Sequence, residues 1–158
     1  MVIKNKKLNL KKVNIWLQSL LLVVFSIFNQ ACAIDNPDAP DYMGELEQRE
    51  QVFLKSINNP SNSSRDYLIA YDDYQKFLDK ELNQAYQLVK SKLPKSSQEE
   101  LKTSQLLWIK YRDAEFVLIK NNWTKQNFGS SAGISRGSYR CKIIKDRVLQ
   151  LLSYAINY

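Results

Sequence analysis

A chain of 158 residues can bury one sizeable core, and 44% apolar with 25% charged residues fits a folded domain rather than a disordered tail or a multi-span membrane protein. The absence of His excludes imidazole as a base or metal ligand, and with it Ser–His–Asp and Cys–His enzymes and HExxH metalloproteases. Two cysteines are too few for a disulfide scaffold or a Cys-based zinc site.

The net charge of +7 sits mostly at the start of the chain, where Lys4, Lys6, Lys7, Lys11 and Lys12 face no acid before residue 33. With those five set aside, 18 basic residues stand against 16 acidic ones, so no basic patch for nucleic acid is expected. The lysines run into an apolar stretch from Val13 to Phe28 and then into Ala31-Cys32-Ala33. That order predicts a secretory signal peptide over residues 1–33 and a periplasmic or secreted protein. Asn14 and Gln18 interrupt the stretch, which falls short of the roughly 20 residues of a membrane span. Cleavage after Ala33 discards Cys32; cleavage before it leaves an acylated N-terminus, the one route to membrane contact that the sequence offers.

Residues 34–62 read as an exposed leader and a first helix, roughly Tyr42 to Ile57, with Leu46, Val52 or Phe53, and Ile57 on its apolar side. Asn58-Asn59-Pro60 ends it, and Ser63 with Asp66 resembles a capping box. The second helix extends to about Leu93, with positions 68, 71, 75, 78, 82, 85 and 89 spaced as a bundle seam. Pro94-Lys95-Ser96 is a tight connection, and Ser97 with Glu100 predicts the start of the third helix. Its seam is Leu101, Gln105, Trp108, Arg112, Glu115 and Ile119, with Leu107, Tyr111, Ala114 and Leu118 as the neighbouring row. The short link makes these two helices an antiparallel hairpin in which Val89 faces Leu101, Leu82 faces Trp108, and Leu78-Asp79 faces Arg112. Residues 121–139, which hold three of the four glycines, read as a long loop before a last helix from about Arg140 to Ile156. The fold class is therefore all-α: a small helical bundle built on a long antiparallel hairpin, with a long loop before the last helix.

Asp79-x-Glu81-Leu82-Asn83-x-x-Tyr86, Gln105-x-x-Trp108-x-x-Tyr111-Arg112-Asp113, Gly129-Ser130, and Cys141 with Arg147 six later together resemble the LprI-like lysozyme-inhibitor family. On this likeness residues 63–158 form an LprI-like helical domain. The resemblance implies a small exported bacterial envelope protein and an inhibitor role in the family's best-known member, while the residues themselves supply no nucleophile, metal set or phosphate loop, so no cofactor, metal or catalytic residue is expected. Its partner would be a lysozyme-like hydrolase or another envelope protein. The resemblance also implies cysteines in the first helix and three residues after Asp113. Here the first helix has none and Phe116 occupies the second place, so Cys141 keeps half of one disulfide and is read as a small buried hydrophobe.

Polar residues on the third-helix seam need partners. Arg112 is expected to pair with Asp79, with Glu81 and Asp113 as alternatives, and Gln105 to bond across the hairpin. The acids fall at exposed or capping positions, and no pair is singled out for glycosidase chemistry, so the protein is read as no enzyme. Within residues 121–139, Trp123, Lys125, Ser130, Ser131 and Arg136 are the candidate partner-binding residues, because hydroxyls and cations suit the acidic cleft of a lysozyme. The competing reading is a connector whose aromatics cap the bundle end. At the level of function, inhibition by cleft occlusion competes with a non-enzymatic accessory role or immunity against another toxin.

Overall fold

The computed structural model describes residues 40–158. The expected signal segment, residues 1–33, lies outside the described residues. Among those described there are five helices and no strand: α1 (Tyr42–Ile57), α2 (Ser64–Lys92), α3 (Lys95–Asn122), α4 (Lys125–Phe128) and α5 (Ser131–Ile156). The all-α bundle expected from periodicity is therefore the fold.

Side-chain caps start α1 and α2. The Asp41 carboxylate accepts from the Gly44 amide at 2.9 Å at the head of α1. Ser63 and Asp66 form a reciprocal capping box on α2, with the Ser63 amide donating to the Asp66 carboxylate at 2.9 Å. The box expected from Ser97 and Glu100 does not form. Instead α3 begins at Lys95, directly after Pro94, with no side-chain cap. The fixed φ of Pro94, here −58°, already points the chain into a first turn, and the Ser97 amide donates to the Pro94 carbonyl.

The most extensive packing in the bundle is between α2 and α5, which run parallel: Gly133 lies against Leu68 and Gly137 against Tyr71. α1 and α3 flank that pair, each antiparallel to it. The expected hairpin of α2 and α3 is thus present in the connectivity, but its two helices are not the closest neighbours. Side-chain size explains the difference. α2 offers Ala70 and Ala85 and α5 offers Gly133, Gly137 and Cys141, so those backbones approach closely, whereas α3 turns Gln105, Trp108, Arg112 and Phe116 inward. A Cβ on Gly137 would stand 2.7 Å from the Tyr71 Cβ.

This close approach also corrects the long loop. α3 continues to Asn122 and α5 begins at Ser131, so residues 121–139 are mostly helical. Gly133 and Gly137, which read as breakers, lie inside α5 because α2 leaves no room for a side chain. Only Gly129, at φ +59°, adopts a conformation that favours glycine, and it ends α4.

The core joins all four long helices: Leu46 and Ile57 from α1, Leu78, Leu82 and Val89 from α2, Leu101 from α3, and Ile144, Val148 and Leu151 from α5. The expected α3 seam is the inward face. The α2 seam is right in its second half, whereas in the first half Ala70 and Tyr74 are buried instead of Leu68 and Gln75, because α1 packs there.

Candidate functional site

Among the described residues three charged side chains are buried, and each ties its own helix to at least one other. Glu50 of α1, 2% exposed, accepts from the Tyr74 hydroxyl at 2.8 Å and from the Lys145 ammonium at 2.7 Å. Burial and that carboxylate push the Tyr74 hydroxyl far above the usual phenol range. Glu81 of α2 accepts a two-pronged bond from Arg49, at 3.1 and 2.8 Å. Arg147 of α5, 5% exposed, has only neutral partners: Gln105 at 3.1 Å, Gln150 at 2.6 Å and Ser104 at 3.2 Å. Burial lowers its pKa from the ordinary guanidinium value.

These bonds rearrange the expected pairings. Gln105 bonds to Arg147 of α5, not across to α2. Glu81 is taken by Arg49 of α1. Arg112 places its fork on Asp113, at 2.9 and 2.7 Å, and lies over the rings of Trp108 and Phe116, at 5.5 and 5.8 Å. Asp79 is half-buried without a hydrogen-bond partner among the described residues; burial raises its pKa and the charge of Arg112 opposes the rise. Of the alternatives open at the outset, Asp113 is the observed partner. Asn83 and Tyr111 are exposed, and Tyr86 packs on the core. Phe116, standing where the resemblance implies a cysteine, packs on the core beneath Arg112 and Arg140, and Cys141 is a free buried thiol whose pKa burial pushes up to about 12.

The candidate binding residues gather at the end of the bundle where α3 turns into α5. Trp123 closes α3, stacks on Phe128 at 6.2 Å and meets the Tyr139 ring edge at 5.0 Å. Arg136 donates to the Trp123 carbonyl at 3.0 Å, so both side chains hold the turn. Lys125, Ser130 and Ser131 are exposed on it, the Ser131 hydroxyl donating to the Phe128 carbonyl. Beside the turn, a groove of about 400 Å³ runs between α3 and α5 over Tyr111, Leu118, Ile119, Trp123, Tyr139 and Ile143.

Two features escaped the reading of the sequence. Glu50 lies at helical spacing between Leu46, Phe53 and Ile57, a polar residue in an apolar row, which is the signal of a buried partner-seeking group. The second is a run without acids. No Asp or Glu occurs from Phe116 to Lys145, while Lys120, Lys125, Arg136, Arg140, Lys142 and Lys145 do. Lys142 and Lys145 are paired with Asp146 and Glu50; Lys120 and Lys125 are exposed with no ion pair among the described residues.

Such an arrangement, with polar groups spent on holding helices and exposed cations and hydroxyls at one end, has the form of an all-α binding module. A family model described as "Lysozyme inhibitor LprI" matches residues 57–151, and the chain belongs to this family of lysozyme inhibitors, which is not a family of catalysts. The matched segment contains every residue of the motifs from Asp79 to Arg147, and the turn. No curated relative and no solved structure matches the chain.

Proposed function

We propose that the protein inhibits a lysozyme-like peptidoglycan hydrolase in the periplasm or outside the cell, by inserting the turn between α3 and α5 into the active-site cleft. Family membership supports the inhibitor role, and the lysine-rich, apolar N-terminal segment supports export. The observation that carries the choice of surface is the acid-free run from Phe116 to Lys145, with Lys120 and Lys125 exposed at one end. A lysozyme cleft presents two carboxyl groups, and a cation brought against them as water leaves gains most. Ser130 and Ser131 add hydroxyls that bond to carboxylates or backbone in either sense.

Trp123 and Arg136 act here as the frame of the turn. Lys125, Ser130 and Ser131 make the contact, with Lys120 beside them. The test is turnover of a c-type lysozyme with Ala variants at Trp123, Lys125, Ser130, Ser131 and Arg136, each melted in parallel. Lys125→Ala should weaken inhibition roughly tenfold with an unchanged melt, as the loss of one charged contact of about 1.4 kcal/mol predicts. Full inhibition by a variant with all five residues changed to Ala would move the surface elsewhere. No inhibition by the parent would favour the accessory or immunity role.

A further inference from the structure

The groove between α3 and α5 combines aromatic rings with polar groups of both signs. One wall carries Tyr111 and Glu115, one turn apart on α3, and then Trp123 where that helix ends; the other carries Tyr139, Lys142 and Asp146 of α5. Tyr111 is 53% exposed and Tyr139 42%. Trp123 is held by Phe128 and by the bond from Arg136 to its carbonyl, so this part of the wall is ordered before any ligand arrives. At about 400 Å³ the groove falls within the range of about 300–1,000 Å³ of small-molecule sites.

Its polar groups are open. Glu115 is half-buried and has neither an ion pair nor a hydrogen bond among the described residues, and the hydroxyls of Tyr111 and Tyr139 are likewise without partners there. Lys142 is paired with Asp146 at 2.9 Å. Lys110 and Lys120, each next in sequence to a lining residue, are exposed. The charges are therefore mixed, and neither a strongly acidic nor a strongly basic ligand matches them.

An extended peptide matches no better, because the backbone groups of α3 and α5 are spent within their helices and leave no edge to pair with. A partner helix would press its apolar row on Glu115, Lys142 and Asp146. A pyranose sugar fits both features. Its C–H face lies flat against an aromatic ring, and each hydroxyl on its rim donates to a carboxylate and accepts from an ammonium or a phenol.

We infer that this groove binds a short saccharide of uncharged pyranose rings. Tyr111 and Tyr139 supply the stacking surfaces beside Trp123, Glu115 and Asp146 accept from sugar hydroxyls, and Lys142 donates to them. Lys125, Ser130 and Ser131 do not line the groove, so the site goes beyond the inhibitor reading and does not depend on it.

The experiment is an NMR titration of residues 39–158, a compact unit with its own core, against chitotriose, maltotriose and sorbitol. Sorbitol has the hydroxyls without the ring. At least one trisaccharide should bind with a Kd of about 1 mM or tighter, and sorbitol should not. The stronger of the two tells whether N-acetylated or plain hexose rings are the preferred class. Tyr111→Ala and Glu115→Ala should each weaken binding about tenfold with unchanged melts, since neither side chain is bonded to another part of the bundle. Lys125→Ala should bind like the parent, whatever it does to lysozyme inhibition. The proposal is overturned by no shift with either trisaccharide at about 10 mM, by equal binding of sorbitol, by parent-like binding of either groove variant, or by loss of binding in Lys125→Ala.

Discussion

Asp79 and Arg49 show how differently two charged side chains of one bundle contribute to it. A carboxyl raised by burial holds its proton more readily folded than unfolded, so the ionised form works against the fold. The penalty is present at neutral pH and is relieved as pH falls through the folded value of Asp79. Asp79→Asn should therefore stabilise the protein slightly at neutral pH, by about 0.5 kcal/mol, and bring no gain in acid; thermal melts at both ends of that range decide it. Arg49 works in the other direction. Its removal leaves the Glu81 carboxylate, 5% exposed, without its two-pronged partner. Arg49→Ala should cost about 2 kcal/mol by denaturant unfolding, more than Glu81→Gln, which keeps a hydrogen-bonding group and removes the buried charge.

Among the elements, α5 depends on its small residues and α3 on its large ones. Gly137→Ala sets a methyl 2.7 Å from the Tyr71 Cβ, where neither backbone yields easily, and should cost about 1–3 kcal/mol. Gly133→Ala meets only the end of the exposed Leu68 side chain, which can turn away, and the gain in helix propensity of about 1 kcal/mol offsets it. Equal effects of the two in a thermal melt would show that α2 and α5 are not in contact as described. On α3, Trp108 is half-buried between the Arg112 and Arg147 guanidinium groups, at 5.5 and 5.9 Å. Trp108→Ala should cost about 3 kcal/mol, the low end for a tryptophan, and should loosen Arg147 with it.

For the whole molecule, the contribution of α1 matters most. The family match begins at residue 57, yet Leu46 and Glu50, which precede it, are buried, and Glu50 is bound to Tyr74 of α2 and Lys145 of α5. A chain beginning at Ser63 would expose Tyr74, Phe77 and Leu78 and leave Lys145 unpaired. Losing the burial of Leu46, Phe53 and Ile57 at about 1.5–3 kcal/mol each is comparable with the 5–15 kcal/mol that stabilises a whole domain. Circular dichroism of that shortened chain should show a broad transition or none. A sharp melt at the parent temperature would make α1 an appendage.

The first helix, the start of the second and the inward face of the third were legible in the sequence because they rest on local chemistry. Apolar spacing gave α1 its bounds and α3 its inward seam, and Ser63 with Asp66 marked the start of α2. The motif around Trp108 pointed to the family and to the seam on which Gln105 and Arg112 lie. What remained for tertiary structure was every choice among partners. Glycine in a sequence reads as a breaker, and only the approach of α2 reveals that Gly133 and Gly137 are helical and fitted to a neighbour. Arg112 could reach several acids, and only the folded chain shows it on Asp113, over the rings of Trp108 and Phe116. Arg147 joined Gln105, and Glu81 joined Arg49, because α5 and α1 arrive from far along the chain, and no local pattern encodes which helix a polar group will meet.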